Sequence, residues 1–146
     1  MKRSRSEQGQ SLVELAISIL ILIYLLSGAV EFGLAFFQYV QLRDAAQEGA
    51  LYGSMNPPDP LTPQNAVNIE QRVRYASSSP INLQDTTKVT VTQTLVGTQY
   101  CEGNGLKITV TYQHRVFMPF MSQFIGNTLP LAATVTDTIL RPVCTP

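Results

Sequence analysis

The chain has 146 residues, enough for one domain rather than two. Its ten basic and ten acidic side chains cancel, which leaves no electrostatic footprint for nucleic acid. Charged residues make up only 14% of the chain, against roughly 25% in soluble proteins, and that deficit fits a membrane segment joined to a mild, Thr-rich exterior.

Residues 1–9 (MKRSRSEQG) form a short polar leader, with Lys2, Arg3 and Arg5 against Glu7. An apolar run follows. No charge occurs between Leu15 and Val30, and Phe32 to Val40 extends the apolar character past Glu31. A helix needs about 20 residues to cross a hydrocarbon layer of about 30 Å. Leu12, Val13 and the stretch FGLAFFQYV complete the span that the uninterrupted run begins. Basic residues before the run and none just after it predict the N-terminus in the cytoplasm and the remainder outside.

No helix breaker appears before Asn56-Pro57-Pro58, so residues 10–55 read as one rod that continues past the bilayer. Leu42, Ala45, Ala46 and Gly49 recur at spacings of three and four and give this rod a narrow face of small residues, suited to packing. The Pro-rich MNPPDPLTPQ marks the boundary with a head, residues 56–146. Thr62 is placed as an N-cap with Pro63 in the first helical position. Ala66, Ile69, Val73 and Ala76 then predict an amphipathic helix over 63–77.

Beyond SSSP the apolar period changes from 3.6 to 2. KVTVTQTLV, the alternation from Leu106 to Tyr112, and LAATVTDTIL predict three strands, the first two joined by the turn-rich GTQYCEGNG. Three strands with one apolar face need a cover, and the outer rod with helix 63–77 are the layers available. The expected fold is α+β: a long N-terminal transmembrane helix, then a small head with a short helix and a three-stranded antiparallel sheet. The link FMPFMSQFIGNTLP is unusually apolar for a loop. It is expected to form a helical turn that caps the sheet's core, the alternative being a patch that touches the bilayer or a partner subunit.

Residues that could carry chemistry are few. Cys101 and Cys144 have no metal-ligand spacing, and His114 completes no site with them, so neither a metal nor a cofactor is expected. If the head is exported, the two cysteines are expected to form a disulfide; otherwise they are separate thiols. His114 is expected at the surface or a sheet edge. A Cys–His nucleophilic pair lacks an orienting third residue, and no phosphate-binding loop occurs, so an enzyme is not expected.

The N-terminus carries the most information. A cleaved secretory signal would need a small-residue site directly after the apolar run, near Ser27-Gly28-Ala29, and an uncleaved signal anchor is a further reading. The third reading rests on basic residues, then Gly9, four uncharged residues, Glu14 and a long apolar helix. This arrangement resembles the class III signal of type IV pilins and pseudopilins. The resemblance implies that a prepilin peptidase cuts after Gly9, making Gln10 the new first residue and Glu14 the fifth. A free α-amine on Gln10 is cationic at neutral pH. It would offset the burial of Glu14 on a neighbouring subunit, each charge needing the other in a dry setting.

The stretch from Gly9 to Gly53 further resembles the N-terminal region of TadE-like proteins of the tight adherence (Tad/Flp) pilus. The residues that carry the likeness are Gly9-Gln10, Glu14, the apolar span, Val30-Glu31-Phe32-Gly33, Gln41-Leu42 and Asp44-Ala45-Ala46. The likeness implies a non-enzymatic pseudopilin or minor pilin of the cytoplasmic membrane. Its partners would be the bilayer, the prepilin peptidase and other pilin or pseudopilin helices, with no nucleic acid. Glu31 lies about 100° round the helix from Glu14, so the two carboxylates do not share a face. Glu31 is expected to be hydrated at the outer membrane boundary, or else to meet a basic group on a neighbouring subunit. The rival function is an uncleaved membrane anchor that carries an extracytoplasmic binding or adhesion module.

Overall fold

A computed structural model describes residues 5–59, 62–118 and 121–141. The element order is α1 (Arg5–Met55), α2 (Pro63–Tyr75), β1 (Val89–Val96), β2 (Gly105–Arg115), α3 (Ser122–Ile125) and β3 (Thr128–Thr138). β1 pairs antiparallel with β2, in a register that sets Val91 opposite Val110 and Leu95 opposite Leu106. The sheet order is β1-β2-β3. A long apolar helix followed by a small α+β head is therefore the architecture, as the change of hydrophobic period predicts.

The chain packs as two compact units. One joins α1 as far as Leu34 with Arg115–Leu129, and the other holds Ala35–His114 with the chain from Pro130 onward. In the second unit the outer half of α1 buries one stripe. Ala35, Gln38, Gln41, Leu42, Ala45, Ala46, Ala50 and Ser54 are all enclosed, at the spacing of three and four that keeps side chains on one helix face. Two glycines on this stripe let other elements come close. A β-carbon on Gly49 would collide with Val73 of α2, and one on Gly53 with Leu106 of β2.

The core is completed by Ile69 and Val73 of α2, Ile81, Leu83, Val89, the alternate β2 residues Leu106, Ile108 and Val110, Ala133 and Ile139. Burying each large aliphatic side chain is worth about 1.5–3 kcal/mol, so this cluster is what holds the head together. The opposite sheet face is solvated. Thr90, Thr92 and Thr94 are exposed, and the Thr109 and Thr134 hydroxyls lie 3.1 Å apart across two strands. Threonine fits such a face because its branched carbon favours strands while its hydroxyl stays in water.

The α2 boundary differs in detail from the sequence expectation. Thr62 makes no side-chain cap to the helix backbone. Its hydroxyl instead accepts from Asn65 Nδ2 at 3.3 Å, and its carbonyl accepts the Asn65 N–H at 3.0 Å. Pro63 still begins the helix, because its missing N–H would have been unpaired there in any case.

Candidate functional site: the apolar helix and its two carboxylates

From Leu12 to Leu26 the large apolar side chains of α1 are all exposed. Residues Gly9–Met55 form a helix long and apolar enough to cross a bilayer, and none of its most apolar window is buried by the protein itself. Such a surface needs a lipid or protein cover, since a contiguous apolar face this long is not stable in water. Gly9, Gln10, Val13, Glu14, Ile17 and Ser18 lie along one face of the helix and line a shallow concavity. Gly9 and Gln10 are helical and exposed. Glu14 is exposed too, and it makes no hydrogen bond or ion pair with any described residue.

Glu31 has the opposite environment. It is only 3% exposed, and its carboxylate accepts the backbone N–H of Phe117 at 3.1 and 3.2 Å and that of Met118 at 2.9 Å. The carboxylate is thus not left to water, contrary to the hydrated reading, because the segment after β2 folds over it. Hydrogen bonds to an ionised acceptor are worth roughly 1.5–3 kcal/mol each, enough to hold a carboxylate away from bulk water. Its enclosure is accounted for within the chain and does not require a basic group from elsewhere.

The same segment corrects a second expectation. Its helical turn, α3, exists, but none of the described residues 116–118 and 121–126 belongs to the core cluster of the head. Phe124 meets the ring of Tyr24 edge-on, with centroids 6.2 Å apart, and Met121 packs beside Gly28. These partners lie on the apolar half of α1.

In the head, His114 is fully buried rather than at the surface or an edge. It occupies the inward face of β2, two residues beyond Tyr112, where alternation requires it. Its Nδ1 lies 2.6 Å from Gln38 Oε1, within hydrogen-bond distance. Gln41, one turn further on, acts as a staple. Its amide nitrogen donates to the Ile81 carbonyl at 2.8 Å and the Ser77 hydroxyl at 3.1 Å, and its oxygen accepts the Ile81 N–H at 2.8 Å. These two glutamines pin β2 and the α2–β1 link to the helix. Cys101 is buried beside Gln99, and Cys144 lies outside the described residues, as does the pairing expected of it.

Sequence reasoning singled out Glu31 but missed its partners, and it missed Gln38 altogether. The donors to Glu31 are backbone groups 86 and 87 residues away, and a backbone N–H carries no sequence signature. For Gln38 the available signal was its place on the stripe, three residues before Gln41.

The fold joins an α+β head to the one helix, among the described residues, that is long and apolar enough to cross a membrane, which suggests a single-pass anchor. Residues 9–51 match the family model described as TadE-like protein, so this segment, under a third of the chain, carries the TadE-like pattern. No curated protein and no solved structure matches the chain.

Proposed function

We propose that the protein is a non-enzymatic pseudopilin or minor pilin that takes part in assembling a Tad/Flp-type pilus or a related secretion apparatus. The TadE-like match supports the pilus association. The contrast between the two carboxylates carries the finer reading. Glu31 is satisfied by its own chain, whereas Glu14 stands on an exposed apolar helix with no donor among the described residues. A carboxylate in that setting needs a partner from another molecule.

Cleavage after Gly9 would supply that partner as the new α-amine of Gln10. The apolar helix would hold the subunit in the cytoplasmic membrane, N-terminus inward and head outward, until it packs against other pilin helices. Export would also allow Cys101 and Cys144 to form a disulfide. The alternative, an uncleaved anchor for a binding module, leaves residues 1–9 in place.

Intact-mass measurement on protein from its native host, with and without the prepilin peptidase, decides between them. The expected result is loss of residues 1–9 only where the peptidase is active. A full-length chain in both hosts would refute the processing reading.

A further inference from the structure

Glu14 and Glu31 are seventeen positions apart. At 1.5 Å per residue this is about 25 Å along the helix, less than the roughly 30 Å of a bilayer's hydrocarbon core. With Glu14 at one boundary, Glu31 therefore falls inside the other, and any tilt draws it deeper. A carboxylate at that level needs donors that water does not supply, and the N–H groups of Phe117 and Met118 provide them. The segment between β2 and β3 must then lie at the same depth.

It also reaches further in. Phe124 touches Tyr24 and Met121 packs at Gly28. Tyr24 lies seven residues before Glu31, about 10 Å closer to the centre of the bilayer. The composition suits that place, for no charged residue occurs between Val116 and Thr136. The backbone suits it as well. The Val116 N–H donates to Asn127, Met121 to Met118, Phe124 and Ile125 to Met121, and Gly126 to Ser122. Irregular backbone is tolerated at membrane depth only when it is satisfied in this way. Yet the side chains of Phe117, Phe124 and Ile125 are apolar and exposed, Phe117 by 63% and Phe124 by 73%.

We propose that residues 116–118 and 121–126 form a second membrane-contacting element, with Phe117 seated near the boundary between acyl chains and headgroups and Phe124 and Ile125 deeper, among the acyl chains. The inference rests on reading α1 as a membrane span. Lipid is the occupant because Phe124 and Met121 pack on Tyr24 and Gly28, within the apolar stretch of α1 whose large side chains are exposed from Leu12 to Leu26.

The chain contains no tryptophan, so one introduced indole reports on one place. Phe124→Trp and Phe117→Trp alter exposed side chains and are made singly in the full chain, reconstituted in phosphatidylcholine vesicles at high lipid-to-protein ratio. Leu22→Trp in the apolar run and Thr92→Trp on the solvated sheet face serve as references. The expected result is blue-shifted emission from both phenylalanine variants. Lipids brominated near the headgroup should quench Phe117→Trp most, and lipids brominated near the chain end should quench Phe124→Trp most. Leu22→Trp should show the same depth order as Phe124→Trp, and Thr92→Trp should resist both quenchers. Quenching of Leu22→Trp with none at positions 117 and 124 would overturn this proposal and leave the membrane span intact. An unquenched Leu22→Trp would overturn the span itself. A blue shift at 124 that vanishes as lipid is added would assign the face to a second copy of the chain, and would equally overturn the proposal.

Discussion

At the scale of residues, the Glu14 and Glu31 carboxylates of α1 have opposite surroundings. Glu31 is consumed by its own chain through the Phe117 and Met118 N–H groups, and Glu14 is not. Glu14→Ala is accordingly expected to leave membrane insertion unchanged while strongly reducing pilus assembly. Membrane fractionation and electron microscopy of a deletion strain complemented with the variant would check both parts, and normal piliation would remove Glu14 from the assembly contact. A different acid makes a prediction in the head. Asp85 is held below its ordinary pKa of 3.8, chiefly by the Thr87 hydroxyl and then by Lys88, whose ammonium lies 3.2 Å away. A lowered carboxylate pKa favours the fold at pH above the unfolded value, and that contribution fades as pH falls through the lowered one. NMR titration of Asp85 should show a midpoint below 3.8, and Thr87→Val should raise it.

At the scale of elements, α1 is a single helix with two surfaces of different purpose. The small-residue stripe was legible in the sequence from Leu42, Ala45, Ala46 and Gly49, because periodicity encodes which face is covered. What covers it was legible only as a short list of candidates, since a helix face does not name its partner. The structure supplies α2 and β2, brought close by Gly49 and Gly53. Helix propensity alone predicts that Gly49→Ala gains about 1 kcal/mol. The new methyl would meet Val73, a stiff β-branched side chain that is fully buried, so overpacking is expected to win at a cost of about 1–3 kcal/mol. Chemical denaturation of the detergent-solubilised protein gives the sign directly. The apolar link after β2 shows the opposite limit of sequence reading. Its helical turn follows from residue spacing, but its docking site depends on two backbone donors and one carboxylate, which no hydrophobic pattern records.

At the scale of the whole molecule, the strands, the short helix and the long rod were all readable because each obeys one period without conflict. The burial of His114 was not readable. Alternation along β2 pointed it inward, but its polarity argued for the surface until Gln38 is seen to meet it. If the head is exported, the bond proposed between Cys101 and Cys144 would close a loop of more than forty residues. Such a loop is worth roughly 3–4 kcal/mol by restricting the unfolded chain. Mild reduction should then lower the melting temperature, Cys101→Ser should reproduce the effect, and reduction of that variant should change nothing further.

The covered stripe on α1 also bears on how copies of this chain can be stacked. Along the outer half of the rod one side is permanently occupied by α2 and β2, while Phe36, Phe37, Tyr39, Val40 and Leu51 look outward elsewhere round the shaft. A bare helix accepts neighbours from every azimuth, but this one is keyed. If the chain enters a filament as proposed, each incoming rod would slot in only on the open sector, and the rotational order and outward-pointing decoration of that filament would be written into a single subunit.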